Sequence, residues 1–408
     1  MRRVVIRATF AAVLLPSIAS AQALSLTESD ALSRLSAESP RVRAVRSSVE
    51  LARADVLAAQ RWPNPRLSID RESVAGVTEY LTTVAQPLPI TGRRGLEAQA
   101  ASTLVGASTN RADDAIRRAR ADLRLAFAQL VAAQAREREL TRARDELREL
   151  ATILARREAA GDAAGFDRLR AEREVLDLDA DRAAAIADRR RAQAALAGFF
   201  TGSIDAAQVV AVERTNPSPV IPAADTLIAR AESMRGELLA LQKEVEAARF
   251  AVRAADRRFV PEPEIVAGTK SSSIGAGDIG SVVSVQASLP LFDRGRPEHA
   301  LALARSNQAQ ARIDAFRQTL RADITALLAA LQERRQAADR YRSAAVDNAS
   351  QIERIARVSY DAGERGILEL LDAYRTAATA RIRQASLDLG VREAEIELEF
   401  VSNWEMPS

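Results

Sequence analysis

No proline interrupts the chain between Pro89 and Pro217, nor between Pro297 and Pro407. A proline inside a helix removes a backbone donor and clashes with the preceding turn, so its absence over such lengths leaves both stretches free to run as long helices. Apolar residues recur there at steps of three and four: Ile313, Phe316, Leu320, Ile324, Leu327 and Leu331 in one, Leu147, Leu150 and Leu154 in the other. That stripe packs helix on helix. Near the middle of each stretch "AAGDAAGFDRLRAE" (159–172) and "DAGERGILELLDAYR" (361–375) carry glycine pairs, with Gly161 aligned on Gly363 and Ala171 on Ala373 at an offset of 202. Glycine takes the left-handed geometry that ends one helix and lets the next begin. The reading is two helical hairpins, over 95–200 and 297–403. Their first helices, 95–160 and 297–362, would each be on the order of 100 Å long.

The rest of the chain also repeats. At an offset of 196, Val42, Val45, Val49 and Ala52 match Leu238, Leu241, Val245 and Ala248. Each of these helices then meets a Pro-x-Pro element, in "RWPNPRLSID" (61–70) and "RRFVPEPEIVAG" (257–268), after which the pattern alternates. In "VVSVQASLPLF" (282–292), Val283, Val285, Ala287 and Leu289 share one face, and Ser284, Gln286 and Ser288 the other. Its counterpart is "YLTTVAQPLPI" (80–90). The turn-rich pieces "ESVAGVTE" (72–79) and "KSSSIGAGDIG" (270–280) make hairpins of strands near 66–74 and 79–90, and near 262–270 and 281–292. The chain thus divides into a first repeat at 24–212, a linker at 213–224 and a second repeat at 225–406.

Ahead of both repeats, Arg2, Arg3 and Arg7 precede the apolar run 8–15, and small-x-small triplets end at Ala21 and Ala23. This is the grammar of a secretory signal peptide over 1–21, with 23 as a second cleavage candidate. Three of the 58 basic residues lie in it, which leaves 55 against 55 acidic ones, so nothing in the charge points to nucleic acid. With no cysteine, disulfides, thiolate metal sites and an acylated N-terminal cysteine are excluded. No apolar run after the leader is long enough for a membrane-spanning helix. His299 is the sole histidine, Met234 and Met406 are isolated, and no phosphate loop or nucleophile elbow is present. No metal site, cofactor or catalytic residue is expected, and the chain is read as no enzyme.

Four short alternating strands suit either two soluble hairpins capping a coiled coil or membrane-spanning strands, and the second is favoured. Four cannot close a barrel, and open edges are not tolerated in lipid, so several copies would have to pool them.

The pieces "LSLTESDALSRLSAESPRVRAVRSSVELARADVLAAQRWPNPRLSI" (24–69), "QPLPITGRRGLEAQAA" (86–101), "LPLFDRGRPEHALALA" (289–304) and "YDAGERGILELLDAYR" (360–375) occur in an order that resembles the TolC-type outer-membrane efflux channels, closest to the CzcC-like heavy-metal branch. The resemblance spans the chain beyond the leader. It implies a mainly α fold with a small transmembrane β part: a homotrimer with a twelve-strand barrel in outer-membrane lipid and a twelve-helix tunnel in the periplasm. It also implies a periplasmic adaptor and an inner-membrane pump of the resistance-nodulation-division type as partners. The chain would be the passive exit duct for heavy-metal cations. Drug efflux and type I secretion use ducts of the same family and stay open. A periplasmic adaptor and a coiled-coil scaffold are the rivals outside it. By the same resemblance Tyr360, Arg365, Glu369 and Asp372 match a periplasmic gate, with Glu369 replacing the usual aspartate and Asp167 matching a carboxylate of the first repeat. Arg170, aligned with Asp372, departs from the acidic pattern. Adaptor docking is expected at the tips, near Gly161, Gly165, Gly363 and Gly366. Independently, Glu369 and Asp372 are three apart on one helical face, and around a threefold axis they would form stacked carboxylate rings attractive to cations.

Overall fold

The computed structural model describes residues 24–161, 165–202, 204–213, 220–274 and 278–405. The leader, its cleavage positions, Met406 and linker residues 214–219 lie outside these. Strand β1 (Leu24–Leu26) is followed by α1 (Glu28–Ser33), α2 (Pro40–Gln60), β2 (Arg66–Val74) and β3 (Val77–Pro87). Then come α3 (Arg93–Ala159), α4 (Gly165–Ala197), β4 (Val209–Ala211), α5 (Ala224–Met234) and α6 (Gly236–Asp256). The chain closes with β5 (Pro263–Ser272), β6 (Ile279–Ala287), α7 (Arg296–Tyr341), α8 (Asp347–Asp361) and α9 (Ile367–Ser402).

The longest helix, α3, runs unbroken for 67 residues. Its counterpart is not one plain helix: a π turn at Arg342–Val346 joins α7 to α8. The Ser343 hydroxyl donates to the carbonyls of Asp339 and Arg340, a local competitor for the backbone ladder that the apolar spacing does not reveal. Two strands also end early, β3 at Pro87 instead of 90 and β6 at Ala287 instead of 292. In both places a Leu-Pro pair ends the ladder, because proline cannot donate to it. The chain instead makes a three-residue turn, Ile90 N to Leu88 O and Leu291 N to Leu289 O, each 2.9 Å.

The four long strands form one antiparallel sheet in the order β2-β3-β5-β6. Register sorts the side chains sharply. Leu67 lies opposite Val84, Val84 opposite Ala267, and Ala267 opposite Val283. Ile69, Ile265 and Val285 share that face, and Leu67, Ile69, Val283 and Val285 are each more than half exposed. The opposite face carries Arg66, Asp70, Glu72, Glu79, Glu264 and Lys270. There Arg66 pairs with Glu264, and Lys270 with Glu79 at 2.6 Å. Gly268 is the close-packing point of the sheet: a Cβ on it would lie 2.0 Å from the Thr82 carbonyl oxygen, so only glycine fits. Among the described residues both outer strands, β2 and β6, leave an edge unpaired.

Midway along the helices a second sheet pairs β1 with β4 in parallel. Its core joins Leu26, Leu123, Phe127, Leu130, Leu196, Phe199 and Phe200. The buried Gln134 clasps Ala211, accepting from its N–H and donating to its carbonyl at 2.9 Å each, which satisfies groups that burial would otherwise penalise. No described helix is long and apolar enough to cross a membrane.

Candidate functional site

At the ends of the helices farthest from the four-stranded sheet, both hairpins fold back through glycine. Gly161 and Gly363 have φ of 81° and 74°, and nothing lies within 4 Å of a Cβ built on either. Backbone geometry, not space, therefore asks for glycine there. Gly366, by contrast, is extended and precedes the first turn of α9, where Glu369 sits. The Glu369 carboxylate lies 3.2 Å from where a Gly366 Cβ would be, over a helix N-terminus that favours negative charge. Gly165 opens α4 beneath Glu158, which holds Arg168 at 2.5 Å.

The two tips share one apolar core. Leu147, Leu150 and Leu154 of α3, Ala171 and Val175 of α4, and Ile367, Leu370, Leu371 and Tyr374 of α9 pack together. Ala171 and Ala373, matched by the repeat, are both buried in it. Tyr360 packs against this core with the Arg157 guanidinium 5.6 Å from its ring centre. Across the hairpins Arg375 reaches Glu174 at 2.6 Å.

The remaining residues of the expected gate stand apart. Glu369 and Asp372 are exposed on the face of α9 opposite its buried residues, Arg365 is exposed in the turn, and Asp167 is half-buried on α4. Among the described residues, none of these four has an ionic partner within 4.0 Å. The structure therefore gathers Tyr360, Arg365, Glu369, Asp372 and Asp167 at one end of the molecule without linking them to one another in a single chain.

A second charged constellation lies at the waist, around the small sheet, and no local pattern of residues announces it. Arg124 of α3 binds both Glu28 of α1 and Glu399 of α9, the latter at 2.7 Å. Arg392 binds Glu28 at 2.7 Å and Glu395 at 3.1 Å, and Arg335 of α7 binds Glu395 at 2.7 Å. Burial works to raise the Glu28 carboxyl, but Arg392 and Arg124 outweigh it and hold the group below its ordinary value. Burial likewise opposes the Arg124 charge, and the Glu399 and Glu28 carboxylates more than reverse that. Arg124 and Glu399 are 275 positions apart, which no local spacing rule spans. The charges on the polar sheet face were within reach of sequence: Arg66, Asp70 and Glu72 alternate with Leu67, Ile69 and Arg71.

His299 approaches Asp256 at 3.7 Å, and among the described residues no group of three or more His, Asp or Glu side chains is placed to hold a metal ion.

Comparison with known proteins adds to this geometry. Residues 227–403 match the family model described as outer membrane efflux protein. The cobalt-zinc-cadmium resistance protein CzcC of Cupriavidus metallidurans is 25% identical over 366 residues, 88% of this chain and 85% of that protein. The nickel and cobalt resistance protein CnrC of the same organism is 28% identical over 292 residues, 68% of this chain and 67% of that one. Among solved structures, the Campylobacter jejuni CmeC outer membrane channel superposes with a TM-score of 0.78 at 14% identity, over 93% of this chain and 86% of that chain, a likeness of fold.

Proposed function

We infer that this chain, which belongs to the outer membrane efflux protein family, is the outer-membrane exit duct of a tripartite efflux system. The observation that carries the reading is the sidedness of the four-stranded sheet. One face carries Leu67, Ile69, Val84, Ile265, Val283 and Val285 with Arg71 as its one charged side chain, the other carries the remaining charges, and among the described residues both edges are open. A strand with one lipid face and one aqueous face belongs in a barrel wall, and open edges in lipid cost several kcal/mol per unpaired group. Pooled strands remove that cost. Three copies would supply twelve strands to the barrel, with α3, α4 and α7–α9 extending below it as the tunnel.

Substrate, partners and gate are parts of the proposal. The resistance relatives point to heavy-metal cations as cargo. A periplasmic adaptor and a pump of the resistance-nodulation-division type would complete the system, the adaptor meeting the tips around Gly161, Gly165, Gly363 and Gly366. Among the described residues Asp167, Arg365, Glu369 and Asp372 have no ionic partner, which suits charges that pair between neighbouring subunits when the tunnel is closed. Tyr360 would fix the hairpin they sit on. The duct makes and breaks no bonds; the pump supplies the energy.

The test is twofold. Purified protein in a planar bilayer should conduct, and a strain lacking it should lose tolerance to cobalt, zinc, cadmium or nickel and regain it on complementation. Conduction with no change in metal tolerance would keep the duct and discard the metal cargo. Recovery of the mature protein from the soluble periplasm instead of the outer membrane would sink the whole reading.

A further inference from the structure

The apolar face of the four-stranded sheet is not uniform from end to end, and its rows can be followed across all four strands. One row is Leu67, Val84, Ala267 and Val283, apolar throughout. The next row toward the Ala75-Gly76 turn is Ile69, Thr82, Thr269 and Ser281, and the one after it Arg71, Tyr80, Ser271 and Ile279. Beyond that Ser73 lies opposite Thr78, their hydroxyl oxygens 3.2 Å apart. Toward the helices the same face continues with Gln86, Ile265 and Val285. Gln86 is the one polar side chain of that row, and its amide donates to the carbonyls of Pro63 and Pro87. Its bonding is met inside the chain. Among the described residues the hydroxyls of Thr82, Thr269, Ser271 and Ser281 have no hydrogen-bond partner.

The height of the sheet fits a membrane. Trp62, exposed where α2 gives way to the first strand, stands nine residues from Arg71, and the last six of these are in β2. Nine residues at strand rise span about 30 Å. At the tilt of barrel strands, about 40°, that is a height of about 23 Å, close to the apolar band of an outer-membrane barrel. The long helices leave from the Trp62 end, so the Arg71 end faces the exterior. A lipid-facing arginine is costly at mid-membrane and nearly free at the level of the headgroups. Arg71, the one charged side chain of this face, therefore marks where the headgroups begin. Its guanidinium lies 5.9 Å from the ring centre of Tyr80, directly across the ladder, and it has no ionic partner among the described residues. The carboxylates nearest in sequence and register, Asp70, Glu72 and Glu79, are on the other face.

We propose that this outer rim binds the phosphorylated sugar headgroup of an outer-leaflet glycolipid, lipopolysaccharide, with Arg71 on a phosphate and the hydroxyls of Thr82, Thr269, Ser271 and Ser281 along the sugar. A guanidinium presents paired donors that match phosphate oxygens, and the face of Tyr80 beside it keeps the charge at the rim. Hydroxyls both donate and accept, as those of a sugar do. The four hydroxyl residues lie on β3, β5 and β6, about 10 Å across at two strand spacings, wider than one phosphate needs and suited to a saccharide. Charge points the same way, since among the described residues the rows from Ile69 to Ser73 hold one positive side chain and no negative one. The other end of the sheet is built differently: Trp62, Phe259 and Phe292 are exposed there, with Arg61 and Arg257 exposed beside them. Two unlike rims suit a bilayer whose leaflets carry unlike lipids. The proposal rests on the reading of the sheet as barrel wall, and adds the lipid that the wall holds.

The test titrates the purified full-length protein in detergent with bis-phosphorylated lipid A, with lipid A stripped of its phosphates and with phosphatidylglycerol, and counts bound lipid by native mass spectrometry. Wild type should bind intact lipid A about tenfold or more tighter than either of the others, the scale of one hydrogen bond to a charged group. Arg71→Gln should remove that preference for the phosphates. Arg71→Lys, which keeps the charge and loses the fork, should remove less of it. Thr269→Val/Ser281→Val, which keeps side chains that suit a strand, should weaken lipid A and leave phosphatidylglycerol unchanged. Arg61→Gln, at the opposite end of the sheet, should bind as wild type does. Intact and stripped lipid A bound alike, or equal losses in Arg71→Gln and Arg61→Gln, overturn the phosphate contact. Phosphatidylglycerol bound as tightly as lipid A overturns the choice of a glycolipid. Protein that conducts in a planar bilayer yet binds none of the three overturns the rim and leaves the duct standing; protein that is recovered from the soluble periplasm and binds none overturns both.

Discussion

At the waist of the long helices Arg124, Arg392 and Arg335 close on Glu28, Glu399 and Glu395 in a largely buried network, whereas at the tip Asp167, Arg365, Glu369 and Asp372 stand without an ionic partner among the described residues. Both ends are drawn from the same Ala-, Arg- and Glu-rich sequence, yet they use charge differently. Waist charges are satisfied inside the chain and tie α1, α3, α7 and α9 together. The tip is held mainly by apolar side chains, with the pairs Arg168–Glu158 and Arg375–Glu174 beside them, and those four charges remain available to another molecule. A duct that must keep its wall while changing its aperture needs both arrangements.

Breaking the waist should cost the most. Removing one partner from a buried ion pair leaves a charge without compensation, so Arg124→Met is expected to lose about 3–5 kcal/mol of stability. Replacing the exposed Arg53, paired with Glu50 on the surface of α2, should cost about 1 kcal/mol or less. Thermal melting of the two variants side by side makes the contrast. Replacing Arg124, Glu28 and Glu399 together by apolar residues should recover much of the loss; equal damage in single and triple variants would mean that shape, not charge, holds the waist. Acid is a second way in. Because Glu28 is held below its ordinary value, its contribution is complete above the usual carboxylate range near pH 4.3. It is lost only as pH falls through the lowered folded value. A melting temperature in Glu28→Gln that tracks wild type across that window would remove Glu28 from the account.

The tip should yield to packing instead. Leu370 is 2% exposed at the centre of the core shared by both hairpins, so Leu370→Ala should cost about 2–4 kcal/mol. It should also raise the conductance of the resting channel, which the waist variants should leave unchanged. Next in size are the turns. Gly363→Ala forces a side chain into left-handed geometry at a cost of about 1–2 kcal/mol, while Gly366→Ala meets only the mobile end of Glu369 and should be milder. If the two alanines cost the same, backbone conformation is not what fixes the tip.

How far the sequence reached follows the same divide. Long helices, their return points at Gly161 and Gly363, and the proline-marked entries into strand were legible because each depends on a few neighbouring residues. Positive φ and a missing N–H act within one turn of chain. The apolar face through Val283 and Val285 was legible for the same reason, since strand alternation is local. The waist network was not, because Glu28 meets Arg392 across 364 positions and nothing beside either residue marks the meeting. The π turn at Arg342–Val346 escaped because Ser343 there looks like any serine on a solvated helix face. The expected gate residues were read from resemblance and from the three-residue step between Glu369 and Asp372; that Arg375 and Glu174 would bridge the two hairpins was not foreseen.

The smallest effect on stability is the sharpest probe of the tip. Glu369 and Asp372 are exposed and hold no ion pair among the described residues, so Glu369→Gln/Asp372→Asn should change stability by about 0.5 kcal/mol or less. In the trimer proposed above, removing two negative charges from each copy would nonetheless take six from the threefold axis, where nearby like charges act together on a passing cation. The double variant should therefore melt with wild type while losing cation preference in a bilayer, the effect fading as salt rises. A large loss of stability would show that these carboxylates hold the fold as Glu28 and Glu399 do. Unchanged ion preference at low salt would place them outside the aperture, and the unpaired charge at the tip would then be a solvated helix face.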